Sequence, residues 1–274
     1  MNPFKKKDVN DESVRPAAVI FDLDGTLYLG EHLIAGADVA VETLRKAGLV
    51  TTFLTNKPID SPAIYAEKLS RLGIPVTESD VLTSVTLTID FLQRSGHGDH
   101  VFVIGEDYLT DQIRQAGFRI ASTPQETDVV VVSLDRTMSY EKMRFALEAA
   151  RNGAHMCATN PDVICPMDSG EIVDAGAWIA GLEALLKRPI TDVLGKPSAR
   201  CAETVLARVG CEASRALMVG DRLETDMTMA RNAGMQTALV MSGVTGVADL
   251  KAHGVQPDYV LGSVAELPDA LGVA

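Results

Sequence analysis

The chain lacks the features that would suit it to nucleic acid, a lipid surface or an oxidising compartment. Its 274 residues carry 37 acidic against 25 basic side chains, a formal net charge of −12, and a sequence pI near 4.8. A surface of that sign repels phosphodiester backbones and anionic headgroups, so neither nucleic acid nor membrane is an expected partner. No window approaches the roughly 20 apolar residues that a bilayer span needs. Cys157, Cys165, Cys201 and Cys211 form no Cys-x-x-Cys pair and have no histidine at metal-ligand spacing. They read as reduced thiols of a cytoplasmic protein. Aromatic residues are sparse at 5%, with Trp178 the single tryptophan, expected to be a buried helix residue. His32, His97, His100, His155 and His253 form no cluster along the sequence, and no short-period repeat or low-complexity stretch appears.

A 46% hydrophobic chain of this length holds ample material for a core and exceeds the common single-domain size, so two domains are expected. The polar leader, residues 1–15, contains the one basic cluster, Lys5, Lys6 and Lys7, with no apolar stretch behind it. It is expected to be a disordered tail rather than a targeting signal. Beyond it, apolar runs alternate with segments of helical period, the signature of parallel sheets wrapped by helices. Strands are expected at 17–21 and 49–54, with helices at 37–47 and 62–72 closed by Gly48 and Gly73. A last region repeats the pattern, with strands at 192–194, 216–219, 237–241 and 259–261 and helices at 199–209 and 225–233. Between them come strands at 101–104, 129–133 and 155–158, separated by helices at 85–93, 108–116, 140–151 and 177–186. That is many strands for one open sheet. The reading is therefore an α/β protein with a doubly wound parallel core, residues 16–79 and 187–274, and an inserted α/β domain, residues 80–186.

The most informative segment is AVIFDLDGTL, residues 18–27, where an apolar run ends in two aspartates one residue apart, then Gly-Thr. A buried strand delivers Asp22 and Asp24 to the carboxyl edge of a sheet, where open α/β sheets place their ligands. Gly25 lets the backbone turn sharply beside a ligand. Two such carboxylates can divide covalent catalysis, Asp22 attacking as nucleophile and Asp24 transferring protons. The plainer alternative is a strand-to-loop junction rich in turn residues.

Three other strand ends carry groups suited to phosphate. Thr55 and Asn56 follow an apolar strand and precede a helix, so a hydroxyl and backbone N–H groups can bind an anion there, although Thr-Asn-Lys-Pro is equally a natural turn. Lys196, in Leu-Gly-Lys-Pro, can neutralise both a carboxylate and an incoming phosphate; on its own it reads rather as a solvated loop lysine. Asp221, in MVGDRLETD, suits a hard cation, whereas Asp226 sits where a helix N-cap belongs. Asp22, Asp24 and Asp221 converging on a phosphate dianion would repel it unless a lysine and a divalent cation intervene. That points to Mg²⁺ held by the Asp22 and Asp221 carboxylates and the Asp24 backbone carbonyl. Attack by Asp22 would give an aspartyl-phosphate that water, activated by Asp24, then cleaves.

With FDLDGTL, LTN, GKP and VGDRLETD in this order, the chain resembles the haloacid dehalogenase (HAD) superfamily of phosphatases from about residue 17 to 259. The resemblance implies Asp22 as nucleophile, Asp24 as acid and base, Thr55 and Asn56 as phosphate binders, Lys196 as charge anchor, and Asp221 with a supporting Asp226 as metal ligands. The long insert between the second and third motifs is similar to the large α/β cap of the NagD-like and AraL-like branch, as are LYLGEHLIAGA, ATNPDVICP and DAGAWIAGLEALL. Members of that branch dephosphorylate sugar phosphates, nucleoside monophosphates and other small phosphate esters, so the implied partner is a small phosphorylated metabolite. The same resemblance assigns Thr159, Asn160 and Asp162 to the cap surface over the active site, with Asn160 and Asp162 as substrate contacts. A turn after strand 155–158 would use the same residues. A homodimer through the cap is compatible with the sequence. A phospho-aspartate receiver module or a non-catalytic phosphate binder would share the acid cluster, but Asp-x-Asp-Gly, the inserted domain and Lys196 together favour an enzyme.

Overall fold

The computed structural model describes residues 15–167 and 170–273, so the Lys5 to Lys7 cluster and all of the expected tail except Arg15 lie outside the described residues. Along the chain, β1 (Ala18–Phe21) leads into a small hairpin, β2 (Tyr28–Leu29) and β3 (His32–Leu33), then α1 (Ala37–Lys46), β4 (Val50–Thr55), α2 (Pro62–Arg71) and β5 (Val81–Thr83). Next come α3 (Ser84–Ser95), β6 (His100–Ile104), α4 (Asp107–Gln115), β7 (Arg119–Ile120), β8 (Val129–Val132), α5 (Tyr140–Arg151) and β9 (His155–Ala158). A second hairpin, β10 (Ile164–Met167) and β11 (Gly170–Val173), precedes α6 (Ala175–Leu186), β12 (Asp192–Val193) and α7 (Ala199–Val209). The remainder comprises β13 (Ala216–Gly220), a π-helical turn over Leu223–Met227, α8 (Thr228–Asn232), β14 (Gln236–Val240), α9 (Val247–Ala252), β15 (Tyr259–Leu261) and α10 (Leu267–Ala270).

These elements form two compact units. The first comprises residues 15–55, 62–82 and 196–273 of the described chain, around a six-stranded sheet in the order β15-β14-β13-β1-β4-β5. β1 lies between β13 and β4, parallel to both, with Phe21 level with Val219 on one side and Phe53 on the other. All four β1 side chains are fully buried, as in a central strand covered by helices on both faces. Burying Val19, Ile20 and Phe21 contributes about 1.5–3 kcal/mol each. The Phe21 and Phe53 rings stack at 5.8 Å between centroids. α1 turns Ala37, Ala40, Val41 and Leu44 inward and ends at Gly48, whose φ of +84° is the left-handed conformation of a helix-stop glycine.

The second unit comprises residues 56–61 and 83–195 and contains a five-stranded sheet in the order β12-β9-β8-β6-β7. Its strands are parallel, and β8, four valines in a row, is wholly buried at its centre. α5 and α6 cover one face with Ala146, Ala149, Ile179 and Leu182, while Phe102 and Phe145 stack at 3.8 Å. Ser139 caps α5 by accepting from the Lys142 N–H, and Thr83 and Thr86 exchange capping hydrogen bonds at the start of α3. Among the described residues, no helix is long and apolar enough to cross a membrane.

The α/β class and the parallel sheets agree with the sequence reading; several elements do not. The strand expected at 192–194 alongside the last region instead pairs with β9, Asp192 level with Cys157, so it belongs to the second sheet. β5 is an unforeseen edge strand of the first sheet, because three residues are too few to show a period. The β10–β11 hairpin also went unread, since Pro166 interrupts its alternation. The histidines, scattered in sequence, do meet: His97 and His155 stack at 3.7 Å, and His155 Nε2 lies 3.0 Å from Asp192 Oδ2. Trp178 is half-buried against the second core, its indole Nε1 buried without a hydrogen-bond partner.

Candidate active site

Three adjacent strands of the first sheet, β13, β1 and β4, end level with one another, and each delivers polar side chains at its carboxyl end. Asp22 follows β1, its N–H donating to the Val219 carbonyl at 2.9 Å. Thr55 closes β4, and Asp221 follows β13; both are buried. Lys196, 3% exposed, stands one residue after the second unit ends and reaches Asp22 Oδ1 at 2.5 Å and Asp226 Oδ1 at 2.7 Å, with the Leu54 carbonyl at 3.4 Å. The solvated-lysine alternative is thereby excluded. Asp226 is fully buried in the π-helical turn and accepts from the Arg222 N–H, so it serves the acid cluster rather than a helix cap.

Asp22, Asp221 and Asp226 each present an oxygen within 4.8 Å of the others. Burial pushes the Asp22 carboxyl up to about 6; Lys196 opposes the rise, and Asp221 and Asp24 reinforce it. Burial also raises Asp221 to about 6, with Asp226 adding to it, and raises Asp226 to about 6 against the pull of Lys196. Burial disfavours the Lys196 ammonium, yet Asp22 and Asp226 more than offset that and hold its pKa above the ordinary value. Three carboxylates thus gather around the Lys196 ammonium, with the Arg222 guanidinium also drawing Asp221 down. At such separations each carboxylate pair repels by about 3–4 kcal/mol at an effective dielectric near 20, more than a hydrogen bond returns.

One atom of the cluster is conspicuously unused. Asp221 Oδ1 is buried without a hydrogen-bond partner, while its Oδ2 accepts from the Val244 N–H at 2.7 Å. A hard oxygen set with an orphaned carboxylate oxygen fits a divalent cation. The backbone is built closely around that carboxylate. Gly25, at φ +78°, and Gly243 both pass so near it that a Cβ on either would run into Asp221. The Ser242 hydroxyl ties the turns together by donating to the Gly25 carbonyl at 2.7 Å.

The Asp24 carboxylate stands outside the three-acid group. It is half-buried and accepts from the Tyr28 hydroxyl at 3.4 Å, a phenol that burial and Asp24 itself keep protonated. Within the second unit, Asn56 and Asn160 converge on one oxygen of Asp162, at 2.8 and 3.1 Å. Thr159 and Asn160 are fully buried; the Thr159 hydroxyl donates to Asn160 Oδ1 at 2.7 Å and lies 2.9 Å from the Ser133 hydroxyl. This segment carries an ordered polar network. Sequence reasoning missed Tyr28, Ser242 and Val244. The available signal for the last two was Ser-Gly-Val-Thr-Gly directly after an apolar strand.

Comparison with known proteins identifies the family. The haloacid dehalogenase-like hydrolase family matches residues 19–119, and the HAD-hydrolase-like family matches residues 193–267. The sugar phosphatase AraL of Bacillus subtilis is 36% identical over 258 residues, 94% of either chain. The crystal structure of a 4-nitrophenylphosphatase from Thermotoga maritima is 33% identical, with a TM-score of 0.86 over 94% of this chain and 98% of that one. NagD from Escherichia coli is 32% identical, with a TM-score of 0.83 over 92% and 98%. The chain belongs to the haloacid dehalogenase-like hydrolases, in the branch that holds AraL and NagD, and is a phosphatase of that family.

Proposed function

We propose that the protein hydrolyses small phosphomonoesters, such as sugar phosphates, nucleoside monophosphates and nitrophenyl phosphate-like esters, with Mg²⁺ and through an aspartyl-phosphate on Asp22. The observation that carries this reading is the Asp22 carboxylate clamped by Lys196 beside the unpartnered Oδ1 of Asp221. Asp22, Asp221 and Asp226, with the Asp24 backbone carbonyl, would hold the cation. When bound, Mg²⁺ supplies charge neutralisation for the carboxylates and the phosphoryl oxygens.

In the first half-reaction an Asp22 oxygen bonds to phosphorus, the phosphorus–oxygen bond to the alcohol breaks, and the Asp24 proton passes to the departing oxygen. In the second, Asp24 takes a proton from water as the water oxygen bonds to phosphorus, the bond to Asp22 breaks, and inorganic phosphate leaves. Lys196 offsets charge on Asp22 and on the phosphoryl group throughout, and Thr55 and Asn56 hold phosphate oxygens. The Tyr28 hydroxyl steadies Asp24 for both transfers.

The second unit is assigned the role of a cap that selects the substrate, with Asn160 and Asp162 as contacts; their buried hydrogen-bonded network supports a fixed recognition surface. A cytoplasmic location, supported by four free thiols, and a homodimer through the cap complete the reading. The test is phosphate release over a panel of phosphorylated metabolites with EDTA and Asp22→Asn controls. Metal-dependent turnover that the substitution abolishes is expected; undiminished activity in the variant would overturn the mechanism.

A further inference from the structure

The turn after β14, residues 242–245, belongs to none of the four motifs, yet it contacts Asp221 directly. The Val244 N–H occupies Asp221 Oδ2 at 2.7 Å, and the Thr245 N–H reaches the Asp221 carbonyl at 3.3 Å. Gly243 lies flat against the carboxylate where no Cβ fits, and Ser242 Oγ grips the Gly25 carbonyl at 2.7 Å. Opposite, Asp221 Oδ1 is buried and makes no hydrogen bond. A carboxylate with free rotation could offer a cation either oxygen or both; one whose Oδ2 is held by an N–H is oriented with Oδ1 as its unengaged oxygen.

From this geometry we propose that Ser242, Gly243 and Val244 form a positioning element that fixes Asp221 as a single-oxygen ligand for the divalent cation. Ser242 simultaneously fixes the Asp24–Gly25 backbone that the cation also uses. The inference rests on the metal site of the proposed function. The turn's role is pre-organisation: the carboxylate is oriented before the cation arrives, so binding spends nothing on ordering it. Gly243 is needed for space, Val244 for its backbone N–H, and Ser242 for its hydroxyl.

The experiment measures free Mn²⁺ by electron paramagnetic resonance during titration of the intact protein, with melting in EDTA recorded for every variant. Gly243→Ala should weaken Mn²⁺ binding about tenfold or more, because its Cβ displaces the Asp221 carboxylate. Ser242→Ala should weaken it about threefold to tenfold, with Ser242→Thr restoring it, and in both variants the metal concentration for half-maximal turnover should rise more than kcat falls. Should Gly243→Ala not fold, the Ser242 pair carries the test. If wild type binds Mn²⁺ and Ser242→Ala binds it equally well, the positioning role is wrong while the metal site stands. If Ser242→Ala lowers only the melting temperature in EDTA, the turn is merely structural and the proposal is likewise overturned. If wild type binds no Mn²⁺, the metal site itself fails and this inference fails with it.

Discussion

At the scale of single residues, function concentrates in a buried excess of negative charge. Lys196 forms ion pairs with two of the cluster's acids, Asp22 and Asp226, so its removal should be felt in stability as well as in turnover. Lys196→Met leaves two buried carboxylates without their cation, and breaking such a pair costs about 3–5 kcal/mol. Urea unfolding in EDTA should reveal a loss of that size, with turnover lost as well; an unchanged midpoint would mean the pair contributes nothing to folding. Asp22, Asp24 and Asp221 were legible in the sequence because each stands where an apolar run ends abruptly in polar residues, whereas Lys196 and Asp226 stood out only through the ordered set of motifs. Their partners were not. Nothing local links Lys196 to Asp226, or Val244 to Asp221, since those contacts depend on which strands lie side by side.

At the scale of elements, hydrophobic pattern read long segments well and short ones poorly. α5 and α7 fall where their periodicity put them, whereas two-residue β12 took its place in the other sheet. A pair of residues carries no period, and its partner strand is chosen by tertiary packing. α7 follows Lys196 by two residues and is fixed by Ser198, whose side chain accepts from the Cys201 N–H at 3.1 Å. Ser198→Ala should therefore cost about 1 kcal/mol of stability. Thermal melting would measure it, and an unchanged midpoint would show that the cap contributes nothing. α8 opens with a π-helical turn that no sequence pattern announced, and this turn buries Asp226 against Lys196. π-turns are uncommon and cluster at functional sites.

At the scale of the whole molecule, the acid cluster sets how stability responds to pH. Asp22, Asp221 and Asp226 each titrate near 6 in the fold against 3.8 for the ordinary carboxyl, so the native state binds the additional protons. Their contribution is complete below about pH 3.8 and is lost as pH rises through 6. In metal-free protein, Asp221→Asn should therefore gain stability relative to wild type as pH rises from about 3.8 to 6, read as a difference in melting temperature that widens over that range and levels off above it. A difference independent of pH would contradict the assignment. The thiols give a second whole-chain check. Cys157, Cys165 and Cys201 are buried and Cys211 is half-buried; burial pushes Cys201 up to about 12 and raises Cys157 further. A thiol-reactive dye should label one cysteine rapidly in native protein and the other three only after unfolding; four fast thiols would contradict the packing.

The central claim is that Asp22 carries the phosphoryl group. The direct measurement is acid quenching of the protein during turnover of p-nitrophenyl phosphate with Mg²⁺, followed by borohydride reduction and peptide mass spectrometry. The account predicts reduction of the acyl phosphate at residue 22 to homoserine, absent without substrate and absent in Asp22→Asn. Homoserine at another aspartate, or turnover with none at residue 22 and full activity in Asp22→Asn, would contradict it.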